Sequence, residues 1–221
     1  VLTDIEGTAT PIAFVHEVLF PYALARLPAF CRDHDGDPLM DEVRRLAEGG
    51  PLATLQGWMA RDEKITALKT IQGMIWAEGY ARGDIAGRLY PDVAPALRRW
   101  AKAGLRLFVY SSGSVAAQKL LFGHTPDGNL TGLFSGFFDT GAGAKRDTAS
   151  YAGICRGANV TPGEMLFLSD VVAELDAAAA AGLLTCQLVR PEDGTVAGSA
   201  HPVAADFAEV ARRFGLPRVA V

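Results

Sequence analysis

The sequence is poor in the residues that build thiolate and imidazole sites. Its four histidines, His16, His34, His124 and His201, share no metal-ligand spacing. Its three cysteines, Cys31, Cys155 and Cys186, are scattered, odd in number and fit no C-x-x-C pattern. A disulfide framework is thereby excluded, and reduced core cysteines in a cytoplasmic protein are expected. No basic run occurs, and the net charge over 221 residues is −4. Both facts speak against nucleic acid or an acidic membrane surface as a partner. No apolar run is long enough to cross a membrane, no signal peptide is visible, and there is no internal repeat. What remains is 49% hydrophobic and 21% charged, as in a globular protein with one core, or a core plus a smaller lobe.

Along the chain the pattern changes character twice. Val1 to Thr3 reads as a strand that runs into Asp4-Ile5-Glu6, with Gly7 and Pro11 breaking regular structure. From Phe14 the apolar spacing is helical: one long helix to about Asp33, then helices predicted over Leu39–Glu48 and Leu52–Lys64. A further helix, capped by Thr66, carries the stripe Leu68, Ile71, Ile75 and Trp76. No strand signal interrupts residues 14–90, so this block reads as an inserted lobe. After Pro91, helices and strands alternate. Strands are predicted at 105–110, 134–138, 165–168 and 183–189, and a last helix from about Ala204. Alternation of this kind implies a parallel sheet with helices on both faces. The expected fold is α/β: a Rossmann-like doubly wound parallel core with an inserted all-helical cap, divided as residues 1–13, 14–91 (cap) and 92–221.

Three predicted strands end on polar groups: Asp4 with Glu6, Ser111 with Ser112, and Ser169 with Asp170. Taken singly, each has an ordinary explanation, namely a solvated acidic turn, a helix N-cap, or an acid favoured by a helix dipole. Taken together they fall where ligands bind in open α/β sheets, outside the carboxyl ends of the strands. Lys145, in a glycine-flanked loop before a helix, reaches the same edge. The chemistry this implies is phosphoryl transfer. Asp4 attacks phosphorus; Asp4 and Asp170 offer carboxylates to Mg²⁺; Lys145 neutralises phosphate charge. Ser111 and Ser112 hold phosphate oxygens with nearby backbone amides, and Glu6 moves the proton. Glu174, one turn beyond Asp170, either orients this cluster or lies exposed. Arg190, after the strand at 183–189, carries only a weak signal.

These segments resemble the four motifs of the haloacid dehalogenase-like hydrolases: Asp4-Ile5-Glu6-Gly7-Thr8, the Ser111-Ser112 turn, Lys145, and Ser169-Asp170. Residues 4–12, 14–23, 110–122, 138–151 and 167–178 are similar, more closely, to the enolase-phosphatases of methionine salvage. That resemblance implies an enzyme acting on 2,3-diketo-5-methylthiopentyl-1-phosphate, which is enolised and then hydrolysed to an acireductone and phosphate. It implies Mg²⁺ held by the side chains of Asp4 and Asp170 and the backbone carbonyl of Glu6. It implies substrate bound by Ser111, Ser112 and Lys145, with Asp4 as nucleophile and the helical lobe as a cap. The expected partner is a small phosphorylated molecule, met by a monomer. The chain departs from the family pattern at Ala9, usually Thr, and at Asp147, commonly Glu. Two other readings stay open: a capped phosphatase of the same superfamily for another metabolite, and a phospho-accepting signalling module.

Overall fold

Leu2 and Thr3 form the first strand, β1, and both are buried. The computed structural model describes residues 1–47, 49–63 and 65–218. Contacts divide the chain into two units, Val1–Ile12 with Gly87–Val221, and Ala13–Ala86.

Every regular element among the described residues of the second unit is helical. A short turn, α1 (Ile12–Phe14), leads into a π-helical turn, Val15–Leu19, and then α2 (Phe20–Asp33). Next come α3 (Pro38–Leu46), α4 (Pro51–Ala60) and α5 (Thr66–Arg82). Pro38 and Pro51 stand in first turns, where a missing N–H costs nothing. Asp37 caps α3 by accepting from the Leu39 amide at 2.8 Å. The ends expected for α3 and α4, Glu48 and Lys64, lie outside the described residues. Thr66 is not a cap. Ile65, extended and packed on the helical core, precedes the helix, and Thr66 is its first residue. The apolar stripe is as expected: Leu27, Leu55, Leu68 and Ile71 are almost fully buried in one cluster. Each such side chain contributes roughly 1.5–3 kcal/mol through burial.

The other unit resumes with α6 (Val93–Lys102), β2 (Phe108–Tyr110), α7 (Val115–Gly123) and β3 (Gly136–Phe138). It continues with α8 (Thr148–Ala158), β4 (Leu166–Ser169), α9 (Val172–Ala180) and β5 (Leu184–Leu188). It closes with β6 (Val203–Ala204) and α10 (Phe207–Phe214). The six strands are parallel in the order β3-β2-β1-β4-β5-β6, the doubly wound arrangement. Two boundaries differ from expectation. Leu105 closes α6 by donating to the Trp100 carbonyl at 3.1 Å, so β2 starts only at Phe108. Val203 and Ala204 pair with Gln187 and Leu188 as an edge strand, so the last helix starts at Phe207, capped by Asp206.

Thr3 pairs with both Val109 and Leu168, which makes β1 an inner strand. Its core neighbours are Leu2, Phe108, Tyr110, Tyr151 and Phe167, each under 6% exposed. Asp4, Ser111 and Asp170 therefore follow directly on three adjacent parallel strands. No helix among the described residues is long and apolar enough to cross a membrane.

Candidate active site at the carboxyl edge of the sheet

Asp4 leaves β1 with its amide bonded to the Leu168 carbonyl at 2.8 Å, and its side chain is buried. The chain then turns sharply. The amides of Thr8, Ala9 and Thr10 all donate to the Ile5 carbonyl, at 2.8–3.2 Å. Gly7 sits in this turn with φ +71°, a conformation that a side chain disfavours. A Cβ there would also lie 2.5 Å from an Asp170 carboxylate oxygen. Glycine thus clears the space beside Asp170. Glu6, half-buried, bridges to Thr10 within the same turn.

Lys145 arrives from the loop before α8. That loop needs Gly143, at φ +121°, where a Cβ would collide with the Ser150 hydroxyl. The Tyr151 hydroxyl donates to the Lys145 carbonyl at 2.7 Å and Tyr110 to the Gly143 carbonyl at 2.9 Å. So anchored, the Lys145 ammonium stands 2.5 Å from Asp4 Oδ1 and 2.7 Å from Glu174 Oε2. Glu174 also accepts from the Ser169 hydroxyl at 3.0 Å. Glu174 is thus buried in the cluster rather than exposed on α9.

The electrostatics follow from the burial. Burial pushes the Asp170 carboxyl up to about 7, and the neighbouring Asp4 charge adds to the shift. Glu174 is raised by burial and by Asp4, against the pull of Lys145. Lys145 loses solvation too, but Asp4 and Glu174 outweigh that loss and hold its ammonium above the ordinary value. Lysine and glutamate are thus both raised, which two members of a simple ion pair would not be. The lysine is charged, because two acids face it at hydrogen-bond distance. The surplus negative charge falls on the carboxylates: Asp4, Asp170 and Glu174 face one ammonium.

Two further observations suit this edge to a hard cation. Asp170 Oδ1 is buried without a hydrogen-bond partner, which is costly unless another group completes it. Lys145 is shared between Asp4 Oδ1 and Glu174 Oε2, and Glu174 also accepts from Ser169, so Asp170 is the acid with an oxygen left over and Asp4 its neighbour. Among the described residues no three acidic, histidine or cysteine side chains form a metal cage on their own. Two carboxylates with room for other oxygens match the habit of Mg²⁺, which takes few protein ligands besides phosphate and water.

Ser111 is buried at the end of β2, and its hydroxyl accepts from the Gly113 amide at 3.1 Å; Ser112 is exposed. The first amide of α7, Val115, is taken by Asp139 at 3.1 Å, and Ser114 caps the helix. Any anion at this turn therefore meets the serines rather than the first amide of α7.

Sequence reasoning missed Thr8, whose hydroxyl accepts from the Asp170 amide at 3.0 Å, and Gln187, which donates to the Asp170 carbonyl at 3.0 Å. Both sit inside segments that had been singled out, yet neither residue type signals its role. Arg190 proves fully engaged, bound to Asp92 and to the Thr8 carbonyl.

Residues 1–182 match the family model of the haloacid dehalogenase-like hydrolases. The chain is 58% identical to enolase-phosphatase E1 of Gluconacetobacter diazotrophicus, over 98% of this chain and 94% of that one. It is 57% identical to enolase-phosphatase E1 of Acidiphilium cryptum, over 98% and 96%. Among solved structures it is similar to the UTR4 protein of Saccharomyces cerevisiae, with a TM-score of 0.80 and 38% identity, over 93% of this chain and 96% of that one.

Proposed function

The chain belongs to the haloacid dehalogenase-like hydrolases, and from that membership we propose that it works as an enolase-phosphatase through the acid–lysine cluster at the end of β1. The substrate is 2,3-diketo-5-methylthiopentyl-1-phosphate. The observation that carries this reading is the buried Asp4 carboxylate, 2.5 Å from Lys145 and beside an Asp170 oxygen that lacks a partner.

In the first half-reaction a proton leaves the substrate carbon that bears the phosphate ester, and the adjacent carbonyl becomes an enolate. Glu6 takes that proton, and Lys145 faces the developing enolate charge. In the second half-reaction an Asp4 oxygen attacks phosphorus and the ester P–O bond breaks. The product is an aspartyl-phosphate and a leaving oxygen protonated by Glu6. Water then attacks the aspartyl-phosphate and gives a proton to Glu6, which passes it to the enolate oxygen; Asp4, Glu6 and inorganic phosphate are thereby freed. Ser111 and Ser112 bind the phosphate oxygens, with Lys145 opposite. Asp4 and Asp170, with the backbone carbonyl of Glu6, would hold Mg²⁺, which when bound supplies positive charge to the phosphate oxygens. Glu174 and Ser169 keep Lys145 directed at Asp4.

The test is an assay of purified protein on the diketo phosphate, following enol absorbance and free phosphate with and without chelator. Phosphate release that chelation abolishes is the expected result. Release from sugar phosphates but not from the diketo phosphate would overturn the substrate assignment. Release indifferent to chelation would overturn the metal assignment.

A further inference from the structure

Arg190 is 3% exposed and makes contacts on every side. Its Nε and Nη2 donate to the Thr8 carbonyl at 3.2 and 2.9 Å. Its Nη1 and Nη2 grip the two Asp92 oxygens at 2.9 and 3.0 Å, and Nη1 also reaches the Ala205 carbonyl at 3.1 Å. The Tyr90 ring stacks 4.1 Å from the guanidinium carbon. Asp92 is fixed from behind by the Phe207 amide at 2.8 Å. Such a bidentate, stacked guanidinium is rigid, and lysine does not reproduce it.

The far side of Thr8 is what gives this arrangement a consequence. Thr8 is fully buried. Its carbonyl takes the guanidinium, while its hydroxyl accepts the Asp170 amide at 3.0 Å. Thr8 is thus the middle member of a chain of contacts from Arg190 to Asp170. The turn it holds also contains Gly7, where even one added carbon would strike the Asp170 carboxylate. A displacement of this turn by a few tenths of an ångström would therefore change the space beside Asp170.

We infer that Arg190 and Thr8 are positioning residues that set the separation between the turn after Asp4 and the Asp170 carboxylate, and hence the fit of the divalent cation. This rests on the phosphatase reading above. It goes beyond it by assigning a role in the site to an arginine at the end of β5 that touches no reacting atom. A purely structural salt bridge would stabilise the sheet unit without tuning cation affinity.

The experiment compares the wild type with Thr8→Val, Thr8→Ser and Arg190→Lys. Mg²⁺ affinity is measured by calorimetric titration at neutral pH, and kcat and KM on the diketo phosphate. Thr8→Val keeps the side-chain volume and the carbonyl bonded to Arg190, but removes the oxygen that accepts the Asp170 amide. Thr8→Val and Arg190→Lys should each weaken Mg²⁺ binding by about 10–100-fold, the usual effect of losing a group that orients a ligand. kcat should fall at saturating Mg²⁺ while KM changes little. Thr8→Ser, which restores the acceptor, should recover affinity. If Arg190→Lys does not fold, Thr8→Val against Thr8→Ser decides the matter alone. The inference is overturned if Thr8→Val, or folded Arg190→Lys, binds Mg²⁺ like the wild type, or if the wild type binds none. The titration needs no substrate. Wild-type protein that bound Mg²⁺ but released no phosphate would end the proposed function, while the affinity comparison would still decide the role of Thr8 and Arg190.

Discussion

The two units handle charge differently. In the helical unit the ion pairs lie in solvent: the Arg44 and Asp35 side chains, for instance, are 35% and 78% exposed. Its core is aliphatic and aromatic, and among the described residues its one buried polar side chain is Gln72. The sheet unit has exposed pairs too, such as Arg213 with Glu209, but it also takes charges inside. Lys145 and Asp4 are 11% and 5% exposed, and Arg190, Glu174, Ser169 and Thr8 are buried with them. Exposed pairs contribute little to stability. Buried charges cost several kcal/mol each before their partners offset it, in order-of-magnitude terms. A protein that accepts this cost along one sheet edge, and avoids it elsewhere, marks that edge as the place where chemistry is done.

Substitutions can break that contrast or sharpen it. The largest effect is expected from Asp4→Asn, which removes the carboxylate proposed as nucleophile. Phosphate release should fall on the order of 10⁶-fold, as for loss of a nucleophile elsewhere, while circular dichroism shows a folded chain. Retained turnover would move the nucleophile elsewhere. Arg190→Met leaves the part-buried Asp92 without its cation. Denaturant unfolding should show a loss of about 3–5 kcal/mol. Lys145→Met should lower kcat by about 10²–10³-fold, the cost of removing one pre-positioned charge from an anionic transition state. In the helical unit, Gly79→Ala places a carbon 2.6 Å from the Tyr22 ring. Overpacking there should cost about 1–3 kcal/mol in a thermal melt. The smallest effect belongs to Arg44→Ala, which breaks pairs with Asp35 and Asp41. It should move stability by less than about 1 kcal/mol. A loss from Arg44→Ala as large as that from Arg190→Met would erase the distinction between the units.

Much of the sheet edge was legible because the code for it is local. An apolar run followed at once by a polar residue identifies a strand end, and parallel topology brings such ends to one side. Asp4, Ser111 and Asp170 were found in this way. Glu174 was half-legible: helical spacing put it on the face of Asp170, but only its 2.7 Å contact with Lys145 distinguishes it from an exposed acid. Arg190 was nearly illegible. Its partners, Thr8 and Asp92, are 182 and 98 residues away, and nothing near Arg190 announces them. β6 was lost for a different reason. Two residues, Val203 and Ala204, carry no periodicity, and they merge with the apolar start of the next helix. The π-helical turn at Val15–Leu19 was invisible because its apolar spacing fits an ordinary helix.

The inner position of β1 also bears on the order in which this protein becomes itself. Its two residues pair with partners 106 and 165 positions downstream, Phe108 for Leu2 and Leu168 for Thr3. Contacts so remote in sequence form late, because long loops must close before they are rewarded. Asp4 precedes its partners Lys145 and Leu168 in synthesis. A chain without these long-range pairings carries the Asp4 carboxylate apart from Lys145 and Asp170. The reactivity proposed for Asp4 is in this way tied to contacts that span most of the sequence.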